Sequence, residues 1–113
     1  MNNWQEYSET IPIEAFTSKV LPDAYARFFT SDEIKAYARK CKKGSLAARY
    51  LIKNIIRSHF KQQINYTNIE ILNADSGKPK LHIVDFSEEH LKQIHISLSH
   101  SQTEAAAYVI FEQ

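Results

Sequence analysis

Glycine and cysteine are scarce in this chain of 113 residues, which contains two glycines and one cysteine. Loops that hold phosphate through backbone amides need several glycines, because the backbone must approach the anion closely. With only Gly44 and Gly77, the chain has neither a P-loop nor a Rossmann fingerprint, and any phosphate site must use side chains. Cys41 alone makes neither an internal disulfide nor a cysteine zinc site.

The chain also lacks an excess of charge and a long apolar run. Its 14 basic and 13 acidic residues give a net charge of +1, which argues against a nucleic-acid partner, because such partners need an excess of Lys and Arg. The apolar runs are too short to cross a bilayer and the N-terminus has no signal-peptide core. We therefore expect one domain spanning residues 1–113, in the cytoplasm and without a membrane partner.

Two segments have the pattern of major helices. Thr30–Glu33 (TSDE) predicts a capped helix start, in which Thr30 or Ser31 is the N-cap and Glu33 is placed to complete a capping box. That helix is predicted to run to about Lys42 and to end at Gly44. A second helix is predicted over about Leu46–Phe60 with Ser45 as its cap, and its broad apolar stripe marks it as the central, most buried helix.

The remaining pattern predicts strands and one short helix. An edge strand or extended segment is expected at Thr10–Phe16, because Pro12 cannot donate a ladder hydrogen bond. The other elements are a hairpin of Asn68–Leu72 and Lys80–Val84 around an Asp75–Gly77 turn, a short helix at Phe86–Gln93 capped by Ser87, and adjacent antiparallel strands at His95–Ser99 and Ala105–Phe111. The sum predicts an α+β fold, with a long central helix packed on a small antiparallel sheet.

A basic stripe follows one side of the predicted central helix. Arg49, Lys53, Arg57 and Lys61 recur every four residues without an intervening acid. Like charges at this spacing repel by roughly 0.2–0.5 kcal/mol per pair on an isolated helix. Two interpretations stay open. Either a polyanion such as a pyrophosphate or a nucleotide 3′-phosphate lies along the stripe, or the stripe is a solvated face with partner acids from elsewhere in the fold.

His100 closes a predicted strand among hydroxyl side chains. A strand-end histidine is either a structural hydrogen-bonding residue or a base suited to neutral pH. Because the strand ends there, the imidazole can face a cleft, which favours a functional role. The other four histidines are interpreted as surface or packing residues; they are His59, His82, His90 and His95.

Four stretches in order and at matching spacing resemble one family, the 4′-phosphopantetheinyl transferases. Ser45–Lys53 (SLAARYLIK) resembles their S-L-A-x-R-[FY]-x-x-K-E helix, and Ile69–Leu81 (IEILNADSGKPKL) resembles their I-E-I-x-N-x-x-x-G-K-P-x-L hairpin. Ser97–Val109 (SLSHSQTEAAAYV) resembles their S-[IL]-[ST]-H-[ST]-x-x-x-A-x-A-x-V strands, and Arg27–Glu33 (RFFTSDE) their R-[IF]-[FL]-T-x-x-E. The resemblance covers nearly the whole chain from about Glu9 and is to the short type, holo-(acyl-carrier-protein) synthase.

The resemblance implies a reaction and an assembly. Such enzymes move the 4′-phosphopantetheine arm of coenzyme A onto a serine of an acyl or peptidyl carrier protein and release 3′,5′-ADP. It further implies a homotrimer with sites between subunits, and Mg²⁺ bridging the pyrophosphate and carboxylates. The residues that it places at the coenzyme A phosphates or the turn beside them are Arg49, Lys53, Gly77, Pro79, His100 and Ser101, and Arg57 is a further candidate for phosphate binding.

The sequence departs from the family pattern where the metal would bind. Glu9 stands for the family's aspartate with one extra methylene, and Asn54 stands for a second carboxylate, so both are candidate metal ligands and, with Lys53, candidate catalytic residues. Ser58 replaces a phosphate-binding lysine, for which Arg57, about 100° away around the helix, is a partial substitute. The glycine-rich turn after that helix is absent. Two interpretations follow: a retuned enzyme, or a catalytically degenerate module that binds a carrier protein or another partner.

Overall fold

The computed structural model of the protein describes residues 3–39 and 42–112, so Cys41 lies outside the described residues. The helices are α1 (Ile13–Lys19), α2 (Tyr25–Phe28), α3 (Ser31–Tyr37), α4 (Lys43–His59) and α5 (Glu88–Leu91). The strands are β1 (Trp4–Pro12), β2 (Ile69–Asn73), β3 (Pro79–Ile83), β4 (Ile94–His100) and β5 (Glu104–Glu112). This mixture of helices with antiparallel strands confirms the predicted α+β fold.

The strands form two antiparallel units. β1, β5 and β4 make a three-stranded sheet in that order, so that β1 and β4 are its edges, while β2 and β3 form a separate hairpin. The predicted hairpin is confirmed, and Gly77 in its turn has a φ of +88°, a conformation that favours glycine. The predicted pairing of the last two strands is also confirmed, since His100 on β4 lies opposite Ala105 on β5.

Helix α4 packs across one face of the three-stranded sheet, which we term the inner face. Alternate residues of β5 point to it and are buried; they are Ala105, Ala107, Val109 and Phe111. Ile52 and Ile56 of α4 are fully buried in the same core. Each such aliphatic side chain contributes about 1.5–3 kcal/mol when removed from water. The predicted central helix is therefore confirmed, and it supports one side of every strand in the sheet.

The starts and ends of the helices differ from the predictions around Gly44. α3 has the predicted capping box, since the Thr30 hydroxyl accepts from the Glu33 amide and the Glu33 carboxylate accepts from the Thr30 amide. However, α3 ends at Tyr37, and Gly44 lies in the first turn of α4 instead of ending a helix. Ser45 does not cap α4, because the helix already begins at Lys43.

The predicted strand at Thr10–Phe16 is correct only in its first part. β1 is an edge strand as predicted, but it begins at Trp4, and the chain turns into α1 at Ile13. α1 turns Phe16 fully into the core, which an extended continuation past Pro12 would not achieve. Residues 4–10 are all exposed, so hydrogen-bonded pairing with β5, rather than burial, holds them in a strand.

The predicted basic stripe is one residue too long, because α4 ends before Lys61. α4 ends at His59, so Lys61 is not on the helix. Lys61 and Gln62 have φ values of 57° and 59°, in the left-handed region where glycine is favoured. The chain therefore makes the turn after α4 without glycine. Within residues 3–39 and 42–112, none of the helices combines the length and the apolar content needed to cross a bilayer.

Candidate functional site

Two clefts open at the two edges of the three-stranded sheet. The first, which we term the Glu9 cleft, has a volume of about 460 Å³ and is lined by Glu6, Tyr7, Ser8, Glu9, Asn54, Ile55 and Ser58. The second, the His100 cleft, has a volume of about 300 Å³ and is lined by Ser99, His100, Ser101, Glu104, Ala105 and Ala106. The structure thus brings together Glu9, Asn54 and Ser58, three of the positions at which the sequence departs from the family pattern.

Strand alternation places Glu9 beside α4. Glu9 pairs with Ala107, and Tyr7 with Val109, and both partners are buried on the inner face. Because successive side chains of a strand point to opposite faces, Glu9 shares the inner face with them at the β1 edge. There the exposed carboxylate borders the same cleft as Asn54 of α4.

The Asn54 amide is held by a residue that sequence analysis did not identify. The Tyr66 hydroxyl donates to Asn54 Oδ1 over 2.5 Å. The Tyr66 ring stacks on Tyr50 with 6.2 Å between centroids, and the Arg57 guanidinium lies 4.0 Å above it. Tyr66 carries no sequence signal, because it stands alone in a polar stretch (INYTN) without periodicity.

The Glu9 cleft fits a magnesium ion through the Glu9 carboxylate, because Glu6 lies on the opposite face of β1 and accepts a hydrogen bond from the Trp4 indole at 3.0 Å. Mg²⁺ is commonly held by one or two carboxylates together with substrate phosphates and water, and Glu9 can supply one of these. The oxygen of Asn54 already accepts the Tyr66 hydroxyl proton. The described part of the chain contains no group of three or more His, Cys, Asp or Glu side chains placed to hold a metal, so further ligands would come from the substrate.

His100 lies against the beginning of α4. Its Nε2 is 3.3 Å from the hydroxyl oxygen of Ser45, and a Cβ added to Gly44 would come within 2.5 Å of its Nδ1. Gly44 therefore lets the imidazole lie directly on the first helical turn. Ser101 faces the same cleft, and its hydroxyl oxygen accepts the Thr103 and Glu104 amides at 3.2 and 3.1 Å, which shapes the β4–β5 turn.

The serines before His100 lie on the outer face of the sheet. Ser97 and Ser99 pair with Tyr108 and Ala106, whose side chains point away from α4. Both serines are exposed. They therefore alternate outward with the inward-facing apolar residues of β4, and only Ser99 borders the His100 cleft.

Arg49 is a buried residue that joins three elements. Its Nε donates to the Ile71 carbonyl at 2.7 Å and its Nη2 to Asn73 Oδ1 at 3.1 Å, both on β2. Its Nη1 donates to the Ser45 carbonyl at 3.2 Å, and the guanidinium lies 3.7 Å above the Tyr37 ring. Burial lowers the pKa of Arg49. Because these nitrogens point to protein oxygens, we interpret Arg49 as a positioning residue for the first turn of α4 beneath His100. Ser45 in that turn contacts both Arg49 and His100.

Lys53 is fully buried in an ion pair with Glu33. Its Nζ lies 2.6 Å from Glu33 Oε1, and both side chains are inaccessible to solvent. The same Nζ donates to the Phe28 carbonyl at 2.8 Å and the Tyr66 carbonyl at 3.2 Å. Burial lowers the pKa of Lys53, while Glu33 acts in the opposite direction. The solvated-face interpretation of the stripe is therefore wrong for Arg49 and Lys53, although a partner acid does come from elsewhere in the fold.

The other residues assigned by resemblance lie apart from both clefts. The half-buried Arg57 donates from Nε to the Ile64 carbonyl at 2.7 Å. Gly77 and Pro79 belong to the β2–β3 hairpin, and neither lines the Glu9 cleft or the His100 cleft. Their contacts with coenzyme A stay predictions, as do the catalytic and phosphate-binding roles of Lys53.

Comparisons with known proteins agree with this architecture. No established family model matches the chain. The chain is 34% identical over 105 residues to the holo-[acyl-carrier-protein] synthase of Clostridium botulinum (strain Eklund 17B / Type B), with 80% of each chain covered. It is 32% identical over 95 residues to the synthase of Clostridium tetani, covering 76% of this chain and 75% of the relative.

Solved structures show the same fold. A Bacillus anthracis holo-(acyl-carrier-protein) synthase in complex with CoA (3′,5′-ADP) matches with a TM-score of 0.75 and 27% identity, over 96% of this chain and 95% of that one. The Helicobacter pylori synthase matches in fold, with a TM-score of 0.73 at 18% identity over 93% and 97% of the chains. By sequence identity across most of its length and by fold, the chain belongs to the holo-(acyl-carrier-protein) synthase family of 4′-phosphopantetheinyl transferases.

Proposed function

We propose that this chain transfers the 4′-phosphopantetheine arm of coenzyme A to a serine of an acyl or peptidyl carrier protein in the cytoplasm. The observation that carries the proposal is the Glu9 cleft, in which a family fold brings one carboxylate beside α4. The serine oxygen forms a bond to the phosphorus that bears the arm, and the phosphoanhydride bond breaks. 3′,5′-ADP leaves with the bonding electron pair, and the serine proton passes to water.

Glu9 and Asn54 border the position that we propose for the metal. A bound Mg²⁺ would neutralise negative charge on the diphosphate. Glu9 would hold it together with phosphate oxygens, which compensates for the missing second carboxylate. Ser58 lines the same cleft but brings no positive charge, so the phosphate contact that the family's lysine would supply is missing here.

His100 and Ser101 form the second half of the proposed site. His100 is exposed at the start of a 17-residue helix, next to the Ser45 hydroxyl. Backbone amides at a helix N-terminus and a nearby imidazole favour an anion. We therefore place a coenzyme A phosphate against His100, with Arg49 fixing the underlying turn from below.

A homotrimer would join the two halves. In one chain, Glu9 lies on the β1 edge and His100 on the β4 edge, with β5 between them. Two strand spacings of about 4.8 Å and the body of α4 separate the two clefts. The outer face of the sheet also exposes Trp4 and Tyr108, 45% and 38% accessible, which supports an interface there. A neighbouring subunit would bring its β1 edge to the β4 edge of the next.

The test of function is direct. The protein is incubated with coenzyme A, Mg²⁺ and several apo carrier proteins, and each carrier is examined by mass spectrometry. We expect a mass gain of one phosphopantetheine arm on at least one carrier. Absence of transfer to every carrier, together with absence of coenzyme A binding by calorimetry, would contradict the proposal.

A non-catalytic carrier-binding module is the second candidate, favoured by the uncharged Asn54 and Ser58 in the Glu9 cleft. It predicts binding to a carrier or other partner protein without turnover. The double variant Asn54→Glu/Ser58→Lys restores the family pattern and separates the two. Transfer gained where the unchanged protein has none indicates a decayed site, whereas loss of existing transfer indicates a retuned enzyme.

A further inference from the structure

The Asn54 amide presents its nitrogen to the Glu9 cleft. Its Oδ1 accepts the Tyr66 hydroxyl proton, and Nδ2 makes no hydrogen bond to another residue within 3–39 and 42–112. No buried polar side-chain atom in that part of the chain lacks a partner. Nδ2 is therefore reached by solvent, and the solvent beside Asn54 is that of the cleft.

Tyr66 fixes this orientation. A tyrosine hydroxyl has one proton to donate, and Asn54 Oδ1 is its acceptor. If the amide were reversed, Nδ2 would donate to the hydroxyl oxygen instead, and the hydroxyl proton would have no hydrogen-bond acceptor among residues 3–39 and 42–112. The ring cannot turn easily, because it stacks on Tyr50, lies 4.0 Å from the Arg57 guanidinium and contacts Phe28 at 4.8 Å between centroids. The Tyr66 carbonyl is further held by Lys53.

A donor in this position changes what the cleft can bind. Ionised Glu9 only accepts hydrogen bonds. If Asn54 also presented its oxygen to the cleft, a phosphate there would meet two acceptors and would be repelled unless a cation lay between. An N–H instead meets an anionic phosphate oxygen directly, and hydrogen bonds to charged groups are about twice as strong as neutral ones. The cleft therefore pairs one metal-binding carboxylate with one phosphate-binding amide.

We propose that Asn54 is a hydrogen-bond donor to the diphosphate of coenzyme A, and not a metal ligand, and that Tyr66 is the positioning residue that turns the donor into the cleft. This inference rests on the proposed function, since it names the substrate group that the same site binds. Glu9 then remains the protein ligand of Mg²⁺.

Coenzyme A binding by calorimetry, in EDTA and in Mg²⁺, tests the proposal. In EDTA, Asn54→Asp is expected to weaken binding about 10-fold or more, because a donor is replaced by a negative charge. Tyr66→Phe is expected to weaken it about threefold to 10-fold in both conditions, because the amide can then rotate. Tyr25→Phe and Gln93→Glu control for a lost tyrosine hydroxyl and an added charge away from the cleft, and circular dichroism confirms folding.

The outcomes separate the two roles of Asn54. If its oxygen ligates the metal, Tyr66→Phe frees that oxygen and strengthens binding in Mg²⁺, while binding in EDTA is unchanged in both variants; this result would overturn the inference. Unchanged binding by Asn54→Asp in EDTA would also overturn it, leaving the proposed function intact. Failure of the unchanged protein to bind coenzyme A at all contradicts the proposed function and the inference with it.

Discussion

At the scale of the residue, the contact between Gly44 and His100 sets the geometry of the His100 cleft. Any side chain at Gly44 would meet the imidazole, since its added Cβ lies 2.6 Å from Cγ and 2.9 Å from Cβ of His100. These atoms are near the backbone of β4, so a small rotation of the ring does not relieve the contact. The glycine is therefore needed for close approach of a helix and a strand.

We expect the effect of Gly44→Ala on the free energy of unfolding to have opposite signs with and without the histidine at position 100. In the unchanged chain it destabilises by about 1–2 kcal/mol, the usual cost of forcing an extra methyl into a packed contact. In a His100→Gly background, which removes the Cβ of residue 100 together with the ring, the same change stabilises by about 0.5–1 kcal/mol, because alanine favours helix more than glycine does.

Urea denaturation of the four proteins in this double-mutant cycle measures the coupling. The same effect of Gly44→Ala in both backgrounds would show that the close contact does not constrain the fold. Residue-level reasoning from the sequence could not find this contact, because a glycine before a capping serine has the same appearance whether it ends one helix or begins another.

At the scale of the element, the end of α4 is joined to β5 by an aromatic stack. The His59 ring lies parallel to Phe111 with 3.7 Å between centroids, and Tyr7 of β1 contacts both rings edge-on. Burial lowers the pKa of His59. Of the two interpretations left open for this histidine, surface or packing, the stack supports packing.

This stack gives the fold a pH dependence. Because the pKa of His59 is lower in the folded state than in the unfolded state, the unfolded chain binds more protons as the pH falls through about 6.5, the ordinary value for histidine. Protonation therefore favours unfolding. Between about pH 7.5 and 5, the unfolding free energy of the unchanged chain should fall relative to His59→Phe, which keeps the stack without titrating. If the unfolding free energies of the two proteins, measured by urea denaturation, changed in parallel across this pH range, the result would contradict the expectation.

Elements with a local signal were predicted well, and elements held by distant contacts were not. The Thr30–Glu33 capping box, the Gly77 turn and the alternation of β5 all act within a few residues, and the structure confirms each one. β1 has an exposed, polar sequence and is a strand because β5 offers it a free edge. Such pairing, about 100 residues apart in the chain, leaves no periodic pattern.

At the scale of the whole molecule, the two halves of the proposed site make a prediction about assembly. If Glu9 of one subunit works with His100 of its neighbour, Glu9→Ala and His100→Ala each inactivate the homotrimer but complement one another. In co-expressed mixtures with equal amounts of both chains, about a quarter of the sites carry both original residues. Transfer assays should therefore recover about a quarter of the original activity.

A matched mixture controls for this complementation. Glu9 and Asn54 line the same cleft of one chain, so Glu9→Ala mixed with Asn54→Leu leaves every site with one defect and should restore no activity. Recovery near zero in the Glu9→Ala and His100→Ala mixture would instead place the complete site within a single subunit, and sedimentation measurements would establish whether the mixed trimer had formed.

The sequence by itself determined the fold class, the hairpin, the central helix and the family, because these depend on local patterns of hydrophobicity, turns and motif spacing. Only the tertiary structure decided what the charged and polar residues do. Helical spacing placed Arg49 and Lys53 on one side of α4 but could not show whether that side faces solvent or the protein core. Their burial is favourable because Glu33 and the oxygens of β2 are brought to them from distant segments. The orientation of Asn54 was likewise set by Tyr66 across a loop, since hydrogen-bond partners are chosen by proximity in space and not in sequence.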